Sequence, residues 1–174
     1  MKKINVIVIV RDHLSTLRDD RGNVRSWADV AFFYILPILL GTSYYFCPFA
    51  LPVGIENNLI AVFSVFGALL FSAQISLYGL SPKKPETTGD SVTDERNFND
   101  FKNEKKFFRE VNFNVSYLIL ISCISLILFL VTMIANVPQR FEGSALVILM
   151  SHFFLTLLML IKRSHVAFSI RHSD

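Results

Sequence analysis

The stretch Ser81–Glu110, SPKKPETTGDSVTDERNFNDFKNEKKFFRE, decides the fold because it is polar in a chain that is otherwise oily. Two long apolar segments precede it and two follow it. Ser81-Pro82-Lys83-Lys84-Pro85 ends a helix, since the residue before a proline is pushed out of the α region. Residues 86–94 form a polar linker, and a helix is expected to restart at Ser91 or Thr93. From there Phe98, Phe101 and Phe108 share one helical face within about 80°. Lys102, Lys105, Lys106 and Arg109 lie among them. Aromatic and basic side chains on one helix suit an anionic lipid surface. They suit a cytoplasmic protein partner equally well. Direct nucleic-acid binding is the weakest reading, because Asp94, Glu95, Asp100 and Glu104 offset the charge.

Outward from this stretch the chain is 52% apolar and carries 17 Phe against 7 Gly, a composition for helices packed in lipid. Its mean hydropathy is +0.47. The expected fold is an all-α integral membrane protein with four transmembrane helices and a cytoplasmic helical extension before the third. Span one runs from Ala28 to Phe49, entered through Ser26 as N-cap with Asp29 three positions on. Pro37 removes a backbone hydrogen bond and crowds the Phe33 carbonyl, which predicts a kink. Span two, residues 58–80, is long enough for a ~30 Å hydrocarbon core. Span three runs from Val111 to Val137 and can continue directly from the helix before it; Thr93–Val137 as one rod measures roughly 65 Å. Span four is Ser144–Ile161. The segments are therefore an N-terminal segment (1–27), a first transmembrane hairpin (28–80), the cytoplasmic linker and amphipathic helix (81–110), a second transmembrane hairpin (111–161) and a tail (162–174).

Polar residues inside the spans carry the candidate sites. Ser64, Ala68, Ser72 and Ser76 repeat every four residues in span two, a ridge along which another helix can approach closely. Gln74 lies off that ridge and suits a helix–helix hydrogen bond. In span three Asn114, Ser122, Ser125, Thr132 and Asn136 fall within about 80° of one another, while Ser116 and Cys123 point away. This stripe lines a pore or glues helices together, and glue is the commoner role. His152 sits at the middle of span four. An ionisable group at that depth faces protein or water. It reads either as a proton- or voltage-sensitive gate or as a neutral ring bonded to Thr or Asn on a neighbouring helix.

Charge sets the expected orientation. Six basic residues fall in the N-terminal segment, seven in the central segment, three in the tail and one, Arg140, in the two short turns. The positive-inside rule then puts both termini and the central segment in the cytoplasm. Four spans return the chain to its starting side, which agrees. Val6, Val10, Leu14 and Leu17 share one helical face, so a short helix lying on the inner surface is preferred over a lone strand from the β-branched run Ile4–Val10. That run is too short for a signal peptide, and removal is not expected.

No phosphate loop, nucleophile with a His and acid setting, or metal-spaced cluster appears. Cys47 and Cys123 are expected at different depths, which disfavours a disulfide. The expectation is a non-enzyme without cofactors. One four-helix unit is small for a pore, so a homo-oligomer in the lipid bilayer is expected.

The plan resembles the small multi-pass membrane proteins of bacterial anti-phage systems, such as retron-associated membrane effectors and the membrane component of Kiwa. The likeness lies in size, Phe-rich spans, a charged cytoplasmic face and the lack of an enzyme motif. Arg11-Asp12-His13-Leu14-Ser15-Thr16-Leu17 and Leu157-Leu158-Met159-Leu160-Ile161-Lys162-Arg163 are the segments most like it. The resemblance implies an abortive-infection effector or sensor that monitors or depolarises the membrane under a cytoplasmic partner's control. A membrane anchor for a soluble enzyme and a small transporter subunit are the alternatives.

Overall fold

The computed structural model describes residues 5–17, 27–49, 52, 54–87, 89–135 and 137–171. Every element in them is helical: α1 (Val6–Thr16), α2 (Trp27–Val30), a π-helical turn (Ala31–Ile35), α3 (Leu36–Phe46), α4 (Ile55–Gly79), α5 (Ser91–Ala135) and α6 (Gln139–Arg171). Four of the helices are long and apolar enough to cross a membrane. Ser26 and Asn136 lie outside the described residues.

Local chemistry explains the boundaries. The expected kink at Pro37 takes the form of the π turn just before it, which widens the helix where proline brings no N–H. The helix then ends at Phe46, short of the expected Phe49. Gly54, at a φ of 77°, turns the chain into α4, three residues earlier than expected. Asp90 starts α5, accepting from the Thr93 N–H at 3.3 Å and the Thr93 hydroxyl at 2.5 Å. These bonds hold its carboxyl below the usual range, the Thr93 hydroxyl being the largest cause. Between residues 91 and 135 there is neither Pro nor Gly, so α5 runs unbroken for 45 residues, a rod of about 68 Å. Helix α6 also overruns its expected limits at both ends. Glu142 favours its first turn, and nothing in 162–171 breaks it.

The two helices of the second expected hairpin, α5 and α6, pack on each other, whereas α3 and α4 of the first do not. Helix α4 packs on α5, α5 on α6 and α6 on α3, and α1 lies against α5. Consecutive α3 and α4 are not neighbours. The core sits between α4, α5 and α6, where Phe63, Leu118, Phe129 and Phe153 are fully buried. Phe63 meets Phe153 edge-on at 5.2 Å. The outside of the bundle is apolar as well, with Leu69 61% and Ile127 62% exposed.

Helices α3 and α6 come together through glycine. A Cβ on Gly143 would collide with the Tyr44 ring, and one on Gly41 would meet Ile148 and the Ser144 carbonyl oxygen. The Ser144 hydroxyl donates to the Gly41 carbonyl at 2.8 Å across this contact.

Candidate functional site

Asn114 lies one turn inside the apolar part of α5 and is completely buried, so its amide must find partners. Its Nδ2 donates to the Glu110 carbonyl at 2.9 Å. That leaves Oδ1 facing α1, where two donors converge on it. His13 Nδ1 is 2.8 Å away and the Thr16 hydroxyl 3.0 Å. An amide oxygen only accepts, so His13 carries its proton on Nδ1. The His13 ring lies flat on Tyr117, 3.8 Å between centroids and 2° between planes. Its Nε2 is buried without a partner.

Tyr117 passes the connection on to span four. Its hydroxyl donates to His152 Nε2 at 2.7 Å, and His152 Nδ1 donates to the Phe33 carbonyl at 2.8 Å. The direction follows from that carbonyl, which only accepts. It is the carbonyl that Pro37, lacking an N–H, leaves without its usual helical donor. The Tyr34 hydroxyl lies 3.3 Å from that of Tyr117. The one Tyr117 hydroxyl proton is engaged with His152, so Tyr34 donates here. One chain of contacts thus links α1, α5, α6 and the π turn.

At its edge the Arg163 guanidinium donates to the Thr16 carbonyl, at the C-terminal end of α1. A cation there is favoured by the helix dipole. Its Nη1 lies 3.6 Å from Glu110 Oε2, and Lys106 reaches Glu110 Oε1 at 4.0 Å. These pairs are partly exposed and add at most about 1 kcal/mol each. The specificity lies in the buried amide and rings. Burial is the main cause that lowers the His13 pKa to about 4; the Asn114 hydrogen bond opposes it, and His152 and Arg163 push the same way as burial. At neutral pH the ring is uncharged.

The other expected residues fall into clear groups. Ser122, Ser125 and Thr132 are buried with Asn114, so the stripe faces the bundle interior. Among the described residues of the stripe, Asn114 alone is seen to join helices through its side chain. Ser122 and Thr132 return hydrogen bonds to the Leu118 and Phe129 carbonyls of their own helix, and the Ser125 hydroxyl has no partner. His152 is hydrogen-bonded between helices as one reading expected, but to a tyrosine and a carbonyl rather than to Thr or Asn. Gln74 crosses to Ser116 at 2.7 Å.

The ridge Ser64, Ala68, Ser72 and Ser76 is not used for packing within the chain. All four are exposed. Helix α4 turns its Leu59, Phe63 and Leu70 side inward instead, because aromatic and aliphatic volume fills the core better than small residues do. The amphipathic start of α5 keeps Phe98 exposed and Phe101 and Phe108 half-buried. Lys102 sits 4.9 Å above the Phe98 ring and Lys105 5.7 Å above Phe101. The expected surface face on α1 is also rotated. His13, Thr16 and Leu17 are the buried residues, while Val6 stays exposed.

Among the described residues no three His, Cys, Asp or Glu side chains are grouped to hold a metal. No family model, curated protein or solved structure matches the chain.

Sequence reasoning found Asn114 and His152 but not His13, Thr16, Tyr34, Tyr117, Glu110 or Arg163. The available signal was His13 and Thr16, two polar groups one helical turn apart and followed by Leu17.

Proposed function

We propose that this chain is a membrane-embedded effector or sensor of bacterial anti-phage defence, with α1 as its latch. In this reading the four long helices lie in the inner membrane with both termini cytoplasmic, and α1 closes the cytoplasmic mouth. A cytoplasmic event acts on α1 or on the exposed start of α5. The latch opens, the helices that share His152 rearrange, and the membrane becomes leaky.

The observation that carries this reading is the kind of contact holding α1. Asn114 offers one buried acceptor to His13 and Thr16. Such bonds are directional and net only ~0.5–1.5 kcal/mol each, so they can be exchanged for a partner's or for water. Ion leak needs no enzyme motif, and the bundle's polar stripe lies next to the latch. The exposed small residues Ser64, Ala68 and Ser72 on α4 are the face on which we place a second copy. The defence setting rests on the resemblance of size, Phe-rich spans and charged cytoplasmic face.

Controlled expression with a voltage-sensitive dye tests the latch. Asn114→Ala and His13→Ala should depolarise cells that the parent chain leaves polarised. If both variants hold full membrane potential while α1 is demonstrably released, the leak reading fails.

A second reading, an anchor for a soluble enzyme, is favoured by the cytoplasmic start of α5, where Val92 is 75% exposed. It predicts that charge reversal at Lys102, Lys105 and Lys106 abolishes activity while His152 substitutions are silent.

A further inference from the structure

Beside the core, where the ends of α4 and α6 meet the start of the apolar part of α5, the surface opens into a groove of about 450 Å³. Leu70, Ala73 and Leu77 of α4 line it with Val115 of α5 and Leu160 of α6. Leu80 and Ser164 lie at its mouth. Its depth is informative. From Leu70 to Leu80 a helix rises about 15 Å, half of a ~30 Å hydrocarbon core. A transmembrane helix from another chain would need a furrow of full length. This one ends halfway, which fits something belonging to one leaflet.

The chain that leaves the groove after Leu80 is basic. Lys83 and Lys84 follow Leu80 by three and four residues, within roughly 10–14 Å of extended chain. Both are exposed, and neither has a carboxylate partner among the described residues. Arg163 differs, being held by Glu110 and the Thr16 carbonyl. Two unpaired lysines above an apolar furrow of one leaflet's depth complement an anionic headgroup with an acyl chain below it.

We propose that this groove is a binding site for one acidic phospholipid of the cytoplasmic leaflet, its acyl chain along α4 and its phosphate at Lys83 and Lys84. The inference goes beyond the latch and rests, with it, only on insertion in a bilayer with residues 81–110 on the cytoplasmic side. Bound lipid would tie the α4–α5 connection to the bundle and make its position sensitive to leaflet charge.

Native mass spectrometry of the full chain, released from membranes containing phosphatidylglycerol and phosphatidylcholine, tests it. Cys47→Ser and Cys123→Ser serve as background. The parent should retain one phosphatidylglycerol. Ala73 faces the groove and is exposed, so Ala73→Trp fills the furrow without touching the core. It should lose the lipid. Lys83→Gln with Lys84→Gln, outside the bundle, should reduce the preference for phosphatidylglycerol by roughly thirtyfold, about fivefold per lysine. Equal retention of both lipids by the parent, or undiminished retention by Ala73→Trp, overturns the site. So does oxidation of an Ala73→Cys variant to a dimer across this face, which would make a second copy the occupant. Lipid retention is read without any leak, so failure of the latch leaves this result standing.

Discussion

At the scale of single residues, Asn114 carries more than its size suggests. Two donors from a helix about a hundred residues away in sequence end on its one oxygen. Asn114→Ala strands a buried ring N–H and should weaken α1 docking by about 1–3 kcal/mol. Leu17, 1% exposed beside the lock, reports this. A Leu17→Cys reporter in a background without Cys47 and Cys123 should react with a soluble maleimide about tenfold faster for each 1.4 kcal/mol lost.

The same reporter reads the pH dependence of His13. Its folded pKa, about 4, lies below the ordinary 6.5, so the undocked state binds more protons between those values. Docking is therefore fully present above pH 6.5 and is lost progressively as pH falls toward 4. Asn114, Tyr117, His152, Arg163 and Glu110 are the groups around this ring, and none supplies a carboxylate in contact with it. His13→Ala should remove this dependence from maleimide labelling.

At the scale of elements, the contact between α3 and α6 depends on bare backbone. A Cβ on Gly41 would stand 2.9 Å from the Ser144 carbonyl oxygen, and backbone cannot move aside as a side chain can. Gly41→Ala should cost about 1–3 kcal/mol. Gly67 is a useful contrast, because a Cβ there meets Ser122 at an ordinary 3.6 Å. Gly67→Ala should raise stability by roughly 0.5–1 kcal/mol. Thermal unfolding in one detergent separates the two signs. Helix α5 offers a different test. Its polar first part is continuous with the core segment, so Asn103→Pro should break the rod while the bundle from Val111 onward keeps its unfolding temperature. If α5 transmits a cytoplasmic signal, that variant stays folded and unresponsive.

Across the molecule, what was readable in the sequence was local. Each apolar run of about twenty residues announces its own helix, and Pro82 and Pro85 mark where one stops. The absence of Pro and Gly from residues 91–135 leaves α5 unbroken. The inward face of the stripe was readable for the same reason, since periodicity places Ser122 and Ser125 with Asn114. Pairing was not readable. Nothing in the composition says that α3 seeks α6 rather than α4, because the Gly41–Ser144 contact joins residues about a hundred positions apart. The outward turn of Ser64–Ser76 escaped for a related reason. A small-residue ridge fits a partner inside the chain or outside it, and only the packing of Phe63 decides. The latch escaped altogether, since His13 finds its role only once Asn114 and Tyr117 are beside it.

In the proposed function α1, held at Asn114, keeps the bundle closed. Ion flux through liposomes carrying the purified full chain tests it most directly, with parent and Asn114→Ala compared at equal protein density under one imposed potential. The parent should give tight liposomes, and Asn114→Ala should dissipate the potential. Equal tightness of both, with Leu17→Cys in the same liposomes labelling freely only in the Asn114→Ala chain, contradicts it.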